Sequence, residues 1–253
     1  MSRPGPTRPT ILIATSYRVT ADVPPAGEVL LPADYVTSIV KAGGEPLLVP
    51  PIEAPRSDAA WRQLVARGHG LLVVGGPDLD PSAYGQKPHP KTVLTARVRQ
   101  EADARLVAWA DRRRMPTLGV CLGAQTLAVH RGGTLIQHLP DVAAAYQAHV
   151  RPEGAPRPRH AVRIDPTSRL AAIVGTRTLN VNTSHHQAVE LPGRRLRAVA
   201  WFDDQLIEAI EDPRPDRFFL GVQWHPENLH NERRHLALFA ALVAEARRWG
   251  RGR

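Results

Sequence analysis

The apolar run Met115-Pro116-Thr117-Leu118-Gly119-Val120 ends on the chain's single cysteine, Cys121, and passes at once into the helix-forming stretch Leu122-Gly123-Ala124-Gln125-Thr126-Leu127-Ala128-Val129. A buried strand that turns directly into a helix points to a sheet with helices packed on it. Glycines at 119 and 123 permit the tight turn between the two. A side chain on such an elbow sits at the positive end of a helix, where unpaired N–H groups and the macrodipole favour a thiolate over a thiol. The arrangement is that of the Gly-x-Ser-x-Gly elbow of serine hydrolases, with sulfur in place of oxygen. A lone cysteine is more often a small buried hydrophobe, but a core cysteine needs no glycine on either side.

A candidate base lies about a hundred residues downstream, in Phe218-Phe219-Leu220-Gly221-Val222-Gln223-Trp224-His225-Pro226-Glu227. The apolar part reads as a strand, and Pro226 keeps the chain extended after it. Alternate residues of an extended segment face one side, so Glu227 can hold the His225 imidazole in one tautomer and leave its other nitrogen to meet the thiol. Cys121, His225 and Glu227 are therefore the expected nucleophile, base and orienter. A third element, Leu71-Leu72-Val73-Val74-Gly75-Gly76-Pro77-Asp78-Leu79-Asp80-Pro81, runs a strand into a glycine pair. Glycines there let backbone N–H groups point into a site, and the N–H of Gly76, with Gly75 second, could join that of Leu122 in an oxyanion hole. An ordinary strand-ending turn would use the same residues.

These segments resemble the class I glutamine amidotransferase superfamily, marked by a Gly-x-Cys-x-Gly elbow and a C-terminal His-Pro-Glu. Within it the chain resembles the gamma-glutamyl-gamma-aminobutyrate hydrolase family (peptidase C26-like), through Gly75 to Pro81 with Tyr84-Gly85, Val181-Asn182-Thr183-Ser184-His185-His186-Gln187, and Gln223 to Glu227. The resemblance implies a flavodoxin-like α/β fold and a small-molecule gamma-glutamyl amide as substrate. Cys121 would form a gamma-glutamyl thioester that water hydrolyses, in putrescine and aminobutyrate breakdown or related metabolism. It also implies that Gln125 and His185 line the substrate pocket, with Gly75 beside them, His186 ranking lower. Asp78 and Asp80 could meet a substrate ammonium, although turn aspartates more often bond their own backbone. Trp224 reads as packing. No cofactor is expected, and no metal: the histidines lack a zinc-ligand spacing, and His185-His186 are adjacent.

The rest of the chain fits one enzyme domain over residues 10–249, between an N-terminal tail at 1–9 and a C-terminal tail at 250–253. Strand-like runs (10–15, 46–49, 70–74, 116–120) alternate with helix-like ones (33–42, 58–67, 96–114), which implies a mostly parallel sheet with helices on both faces. Short strands near 160–164, 178–181, 196–201 and 206–211 read as antiparallel additions before 218–223 rejoins the sheet and a helix over 232–249 closes the fold. Proline-rich 152–158 reads as a loop within a mobile segment, 141–159, that covers the site. The net charge is +9, nearly all of it arginine, the lysines being Lys41, Lys87 and Lys91 alone. With aromatics at 5% and no nucleic-acid motif, this reads as an arginine-rich surface rather than a specific nucleic-acid site. No apolar run long enough to span a bilayer occurs. The basic, proline-rich start lacks the apolar core of a secretory signal, and one cysteine excludes an internal disulfide, so a cytoplasmic enzyme is expected. A homodimer is a possible assembly. Two rival readings are a glutaminase subunit that feeds ammonia to a separate synthase, and a non-catalytic relative.

Overall fold

The structure is a computed structural model that describes residues 8–20, 27–52, 56–150 and 155–252. Residues 1–7 of the expected N-terminal tail, 151–154 of the proline-rich stretch and the terminal Arg253 lie outside the described residues. The first half alternates as expected: β1 (Thr10–Ala14), then a hairpin of β2 (Ser16–Val19) and β3 (Gly27–Leu30), α1 (Ala33–Lys41), β4 (Glu45–Val49), α2 (Asp58–Val65), β5 (Gly70–Val73), α3 (Arg97–Arg112), β6 (Thr117–Val120) and α4 (Leu122–His130). The second half carries β7 (Thr134–Ile136), β8 (Arg159–Ile164), α5 (Arg169–Val174), β9 (Thr178–Asn182), β10 (Ala188–Leu191), β11 (Arg197–Phe202), β12 (Leu206–Glu211), β13 (Phe219–Val222) and α6 (Arg233–Arg251).

Nine strands form one sheet in the order β4-β1-β5-β6-β13-β12-β11-β8-β9. The pairs from β4 to β13 are parallel and those from β13 to β9 antiparallel. This is a flavodoxin-like α/β sheet with an antiparallel extension, and β13 rejoins the parallel part beside β6. Side chains alternate across it: Ile11 and Ile13 of β1 pack with Tyr35 and Ile39 of α1 and Leu238 and Leu242 of α6, while Leu12 and Ala14 pack with α2 and α3 on the other face.

The short elements are the ones sequence did not foresee. The β2–β3 hairpin, the β7–β10 pair and α5 are too brief to carry a distinct period. Helix α6 continues two residues past Trp249, into the expected tail. The segment expected to be a mobile loop is structured over its described part. It forms two 3₁₀ turns, Leu139–Asp141 and Ala144–His149, that bury Leu139, Tyr146 and His149.

The elbow is also built differently from the sequence argument. Neither Gly119 nor Gly123 has a positive φ; the left-handed residue is Cys121 itself, at φ 52° and ψ −110°. The glycines serve by lacking a Cβ, since one at Gly123 would stand 2.1 Å from the Val73 carbonyl oxygen and one at Gly119 would stand 2.6 Å from the Gly123 backbone. Helix α4 is thereby pressed against β5 and β6. Because both obstacles are backbone, Gly123→Ala should cost about 3 kcal/mol or more. Urea unfolding should show a lower midpoint with an unchanged slope, and a midpoint like that of the parent would refute the packing argument.

Candidate active site

Three neighbouring parallel strands deliver the site. Val73 of β5 pairs with Gly119 of β6, and Val120 of β6 pairs with Val222 of β13. The segments leaving their carboxyl ends are Gly75-Gly76, Cys121 and His225-Glu227, at the edge where ligands bind in open α/β sheets. Cys121 is held at the elbow by its own N–H, which donates to the Val222 carbonyl at 2.8 Å. Its strained backbone aims the side chain out of the strand, and Leu122 begins α4 with a first-turn N–H that has no intrahelical acceptor.

His225 and Glu227 meet as the alternation argument requires, with Nδ1 of His225 2.7 Å from Oε1 of Glu227. Both are buried. Burial opposes charge on the imidazole, but the Glu227 carboxylate and Cys121 outweigh it and raise the His225 pKa to about 10. A virtual Cβ on Gly75 would lie 2.8 Å from the His225 ring and 3.4 Å from Cβ of Cys121, so this glycine makes room for both. Its N–H donates to the Tyr35 hydroxyl at 3.0 Å. The N–H of Gly76 has no hydrogen-bond partner among the described residues. Tyr35 keeps its proton far above the usual phenol range, through burial and the charge of Glu227.

Four positioning residues escaped sequence reasoning. Arg99 of α3, fully buried, donates to the carbonyls of Val74 and Gly75 at 2.9 Å each, and to Ser16 at 2.8 Å. It thus fixes which way the glycine pair turns. Asp103, one helical turn on, pairs with it, and burial outweighs Arg99 to lift the Asp103 pKa to about 6. Gln223 donates to Sγ of Cys121 at 3.5 Å and accepts from Nε2 of Gln125 at 3.2 Å. Asn182 clamps the backbone of His225 from both sides, donating to its carbonyl at 3.0 Å and accepting from its N–H at 2.9 Å. Asn182→Ala should leave the His225 N–H unsatisfied, at a cost of about 1–3 kcal/mol, while the His225 carbonyl keeps the Asn228 N–H at 3.3 Å. Displacement of the imidazole should lower kcat about 10²-fold with KM nearly unchanged. Parent-like turnover would show that Asn182 does not set the ring.

A cleft of ≈ 330 Å³ opens beside Cys121, bounded by Gly76, Asp78, Gln125, His186 and the 183–187 loop. Gln125 is at the cleft, although its amide nitrogen is occupied by Gln187 and Gln223. His185 borders the cleft as expected, but its ring nitrogens are engaged elsewhere. Its Nδ1 meets the Gln187 carbonyl at 3.0 Å and its Nε2 turns inward toward Glu208, so only 2% of the side chain is exposed. His186, ranked lower by sequence, is also at the cleft wall, with Nε2 2.9 Å from Asp78. Asp78 also accepts from the Val93 N–H, while Asp80 caps the 3₁₀ turn Pro81–Tyr84 through Ser82 and bonds its own backbone. Trp224 is a core residue.

The family model of peptidase C26 matches residues 9–227. A Mycobacterium tuberculosis protein provisionally named a glutamine amidotransferase is 41% identical over 222 residues, 88% of this chain and 68% of that one. The gamma-glutamyl-gamma-aminobutyrate hydrolase of Escherichia coli O157:H7 is 30% identical over 199 residues, 76% of each chain. A solved Thermoplasma acidophilum structure, provisionally described as one subunit of a GMP synthase, shares the fold at a TM-score of 0.60 and 14% identity over 97% of this chain and 98% of that one. The chain belongs to the peptidase C26 family, within the class I glutamine amidotransferase-like group.

Proposed function

We propose that this chain is a cysteine-dependent hydrolase of gamma-glutamyl amides, which releases glutamate and an amine. The observation that carries the reading is the convergence of Cys121, on a strained elbow, with a hydrogen-bonded His225–Glu227 pair from the adjacent strand. The hydrolase name borne by the Escherichia coli relative supports the substrate class.

In this reading His225, whose pKa the Glu227 carboxylate and Cys121 raise to about 10, carries the proton that the reaction needs. Sulfur of Cys121 attacks the gamma-carbonyl carbon, and the C–S bond forms as the carbonyl electrons move onto oxygen. The N–H groups of Gly76 and Leu122 are the donors this reading assigns to that charge. As the intermediate collapses the C–N bond breaks, and the amine leaves with the proton of His225. The imidazole, now neutral, takes a proton from water, whose oxygen attacks the thioester carbon. The C–S bond then breaks, glutamate departs, and sulfur and imidazolium are restored.

A second reading, a glutaminase that supplies ammonia, is favoured by the name of the Mycobacterium tuberculosis relative. Purified enzyme incubated with gamma-glutamyl-aminobutyrate, glutamine and other gamma-glutamyl amides separates the two by the glutamate released. We expect cysteine-dependent release from the substituted amide and little from glutamine. Release chiefly from glutamine would transfer the assignment to the glutaminase, and no release from any of them would refute the substrate class.

A further inference from the structure

Behind the cleft, on the far side of the 183–187 loop, four side chains from four separate elements converge in the interior. His149 ends the 3₁₀ turn Ala144–His149, His160 lies on β8, His185 follows β9, and Glu208 lies on β12. Their side chains are 1%, 11%, 2% and 0% exposed, respectively. Oxygen Oε1 of Glu208 stands 3.6 Å from Nε2 of His149, 3.4 Å from Nε2 of His160 and 3.5 Å from Nε2 of His185. Among the described residues none of these three nitrogens, nor either oxygen of Glu208, has a hydrogen-bond partner. Buried polar groups left in that state cost about 1–3 kcal/mol each, more when charged, so a concentration of five such atoms calls for a ligand.

The spacing says which ligand. Charge-assisted N–H···O bonds run to about 2.7–2.9 Å, and these contacts are all longer. Donor atoms set tetrahedrally at about 2.0–2.1 Å around a zinc ion are about 3.3–3.4 Å apart, close to the 3.4–3.6 Å that separates Glu208 Oε1 from each imidazole nitrogen. We propose that His149, His160, His185 and Glu208 form a binding site for one divalent transition-metal ion of the zinc class. The donor atoms of His149, His160 and Glu208 lie within 4.8 Å of one another; His185, with Nε2 3.5 Å from Glu208 Oε1, stands outside that group of three and would come to the ion as the fourth ligand. Three imidazoles and a carboxylate suit zinc and its first-row neighbours and not magnesium or calcium, which take oxygen.

The surroundings suit ligation. The Nδ1–H of His185 can donate to the Gln187 carbonyl at 3.0 Å, which leaves the lone pair on Nε2; backbone carbonyls commonly fix metal-ligating histidines in this way. Four protein ligands close the coordination shell, so the ion is structural. It would pin the loop that carries His186 and Gln187 to β8, β12 and the 3₁₀ turn behind it.

The test uses the full chain, with any affinity tag removed, loaded with zinc and desalted, and metal measured by mass spectrometry. Cys121→Ser is run in parallel so that the thiol cannot account for the metal. About one equivalent should remain in both, and His149→Ala/His160→Ala should retain at least tenfold less while keeping a folded circular-dichroism spectrum. Chelation should lower the Tm of the parent and leave that of the double variant unmoved. Failure of the parent to retain zinc, or equal retention by the double variant, would overturn the site. If the double variant does not fold, cobalt(II)-loaded Cys121→Ser decides. Intense four-coordinate d–d absorption supports the site, and its absence overturns it.

Discussion

Cys121→Ala should abolish turnover of any gamma-glutamyl amide, with a loss approaching the roughly 10⁶-fold seen when a hydrolase nucleophile is removed. No neighbour should replace the sulfur, because this is the only cysteine and the one hydroxyl lining the cleft, that of Ser184, gives up its proton far less readily than a thiol. Cys121→Ser should be nearly as impaired. A hydroxyl gives up its proton far less readily than a thiol, and a His225 that already holds a proton is a poor base for it. Stability separates chemistry from folding. Alanine inherits the φ of 52°, so Cys121→Ala should unfold within about 1 kcal/mol of the parent, whereas Cys121→Gly relieves strain of about 1–3 kcal/mol and should be at least as stable. Single-turnover assays with denaturation curves on the three variants make the check. Turnover by the alanine variant within tenfold of the parent would remove Cys121 from the mechanism.

The elbow, the His-Pro-Glu segment and the glycine pair could be read from sequence because each is local. A strand, a turn and a few residues beyond it suffice to place the side chain, and parallel pairing of β5, β6 and β13 then brings the three together. What sequence missed depends on contacts between distant segments. Arg99 looks like any helical arginine until α3 packs it against Val74 and Gly75, and Asn182 becomes a clamp only when β9 ends beside the turn after β13. His185 and His186 show the limit most plainly. Adjacent in sequence, both border the cleft, yet the His185 ring reaches Glu208 and the His186 ring reaches Asp78, partners that only the tertiary fold brings up. The His149, His160, His185 and Glu208 cluster has no short spacing at all, so a search for metal motifs along the chain passes over it.

Glu227→Gln should lower kcat by about 10²–10⁴-fold and move the alkaline limit of activity toward neutrality. In the parent, burial favours neutral imidazole and the Glu227 carboxylate, with Cys121, overrides it to hold the His225 pKa at about 10. Removing that negative charge lets burial dominate, so the His225 pKa falls. The proton needed by the departing amine is then lost at lower pH. The amide of glutamine can also present N–H to Nδ1 at the 2.7 Å contact, which selects the wrong tautomer. Stability follows the same sign. A His225 pKa raised from about 6.5 when unfolded to about 10 when folded contributes stability that is fully present below pH 6.5 and lost as pH rises through 10. Between those limits the parent should lose stability with rising pH, and Glu227→Gln should show a flatter profile. The measurements are kcat/KM and Tm for both proteins from pH 6 to 10.5. An alkaline limb that does not move, in a variant whose Tm profile also keeps its slope, would mean that Glu227 does not govern the charge of His225.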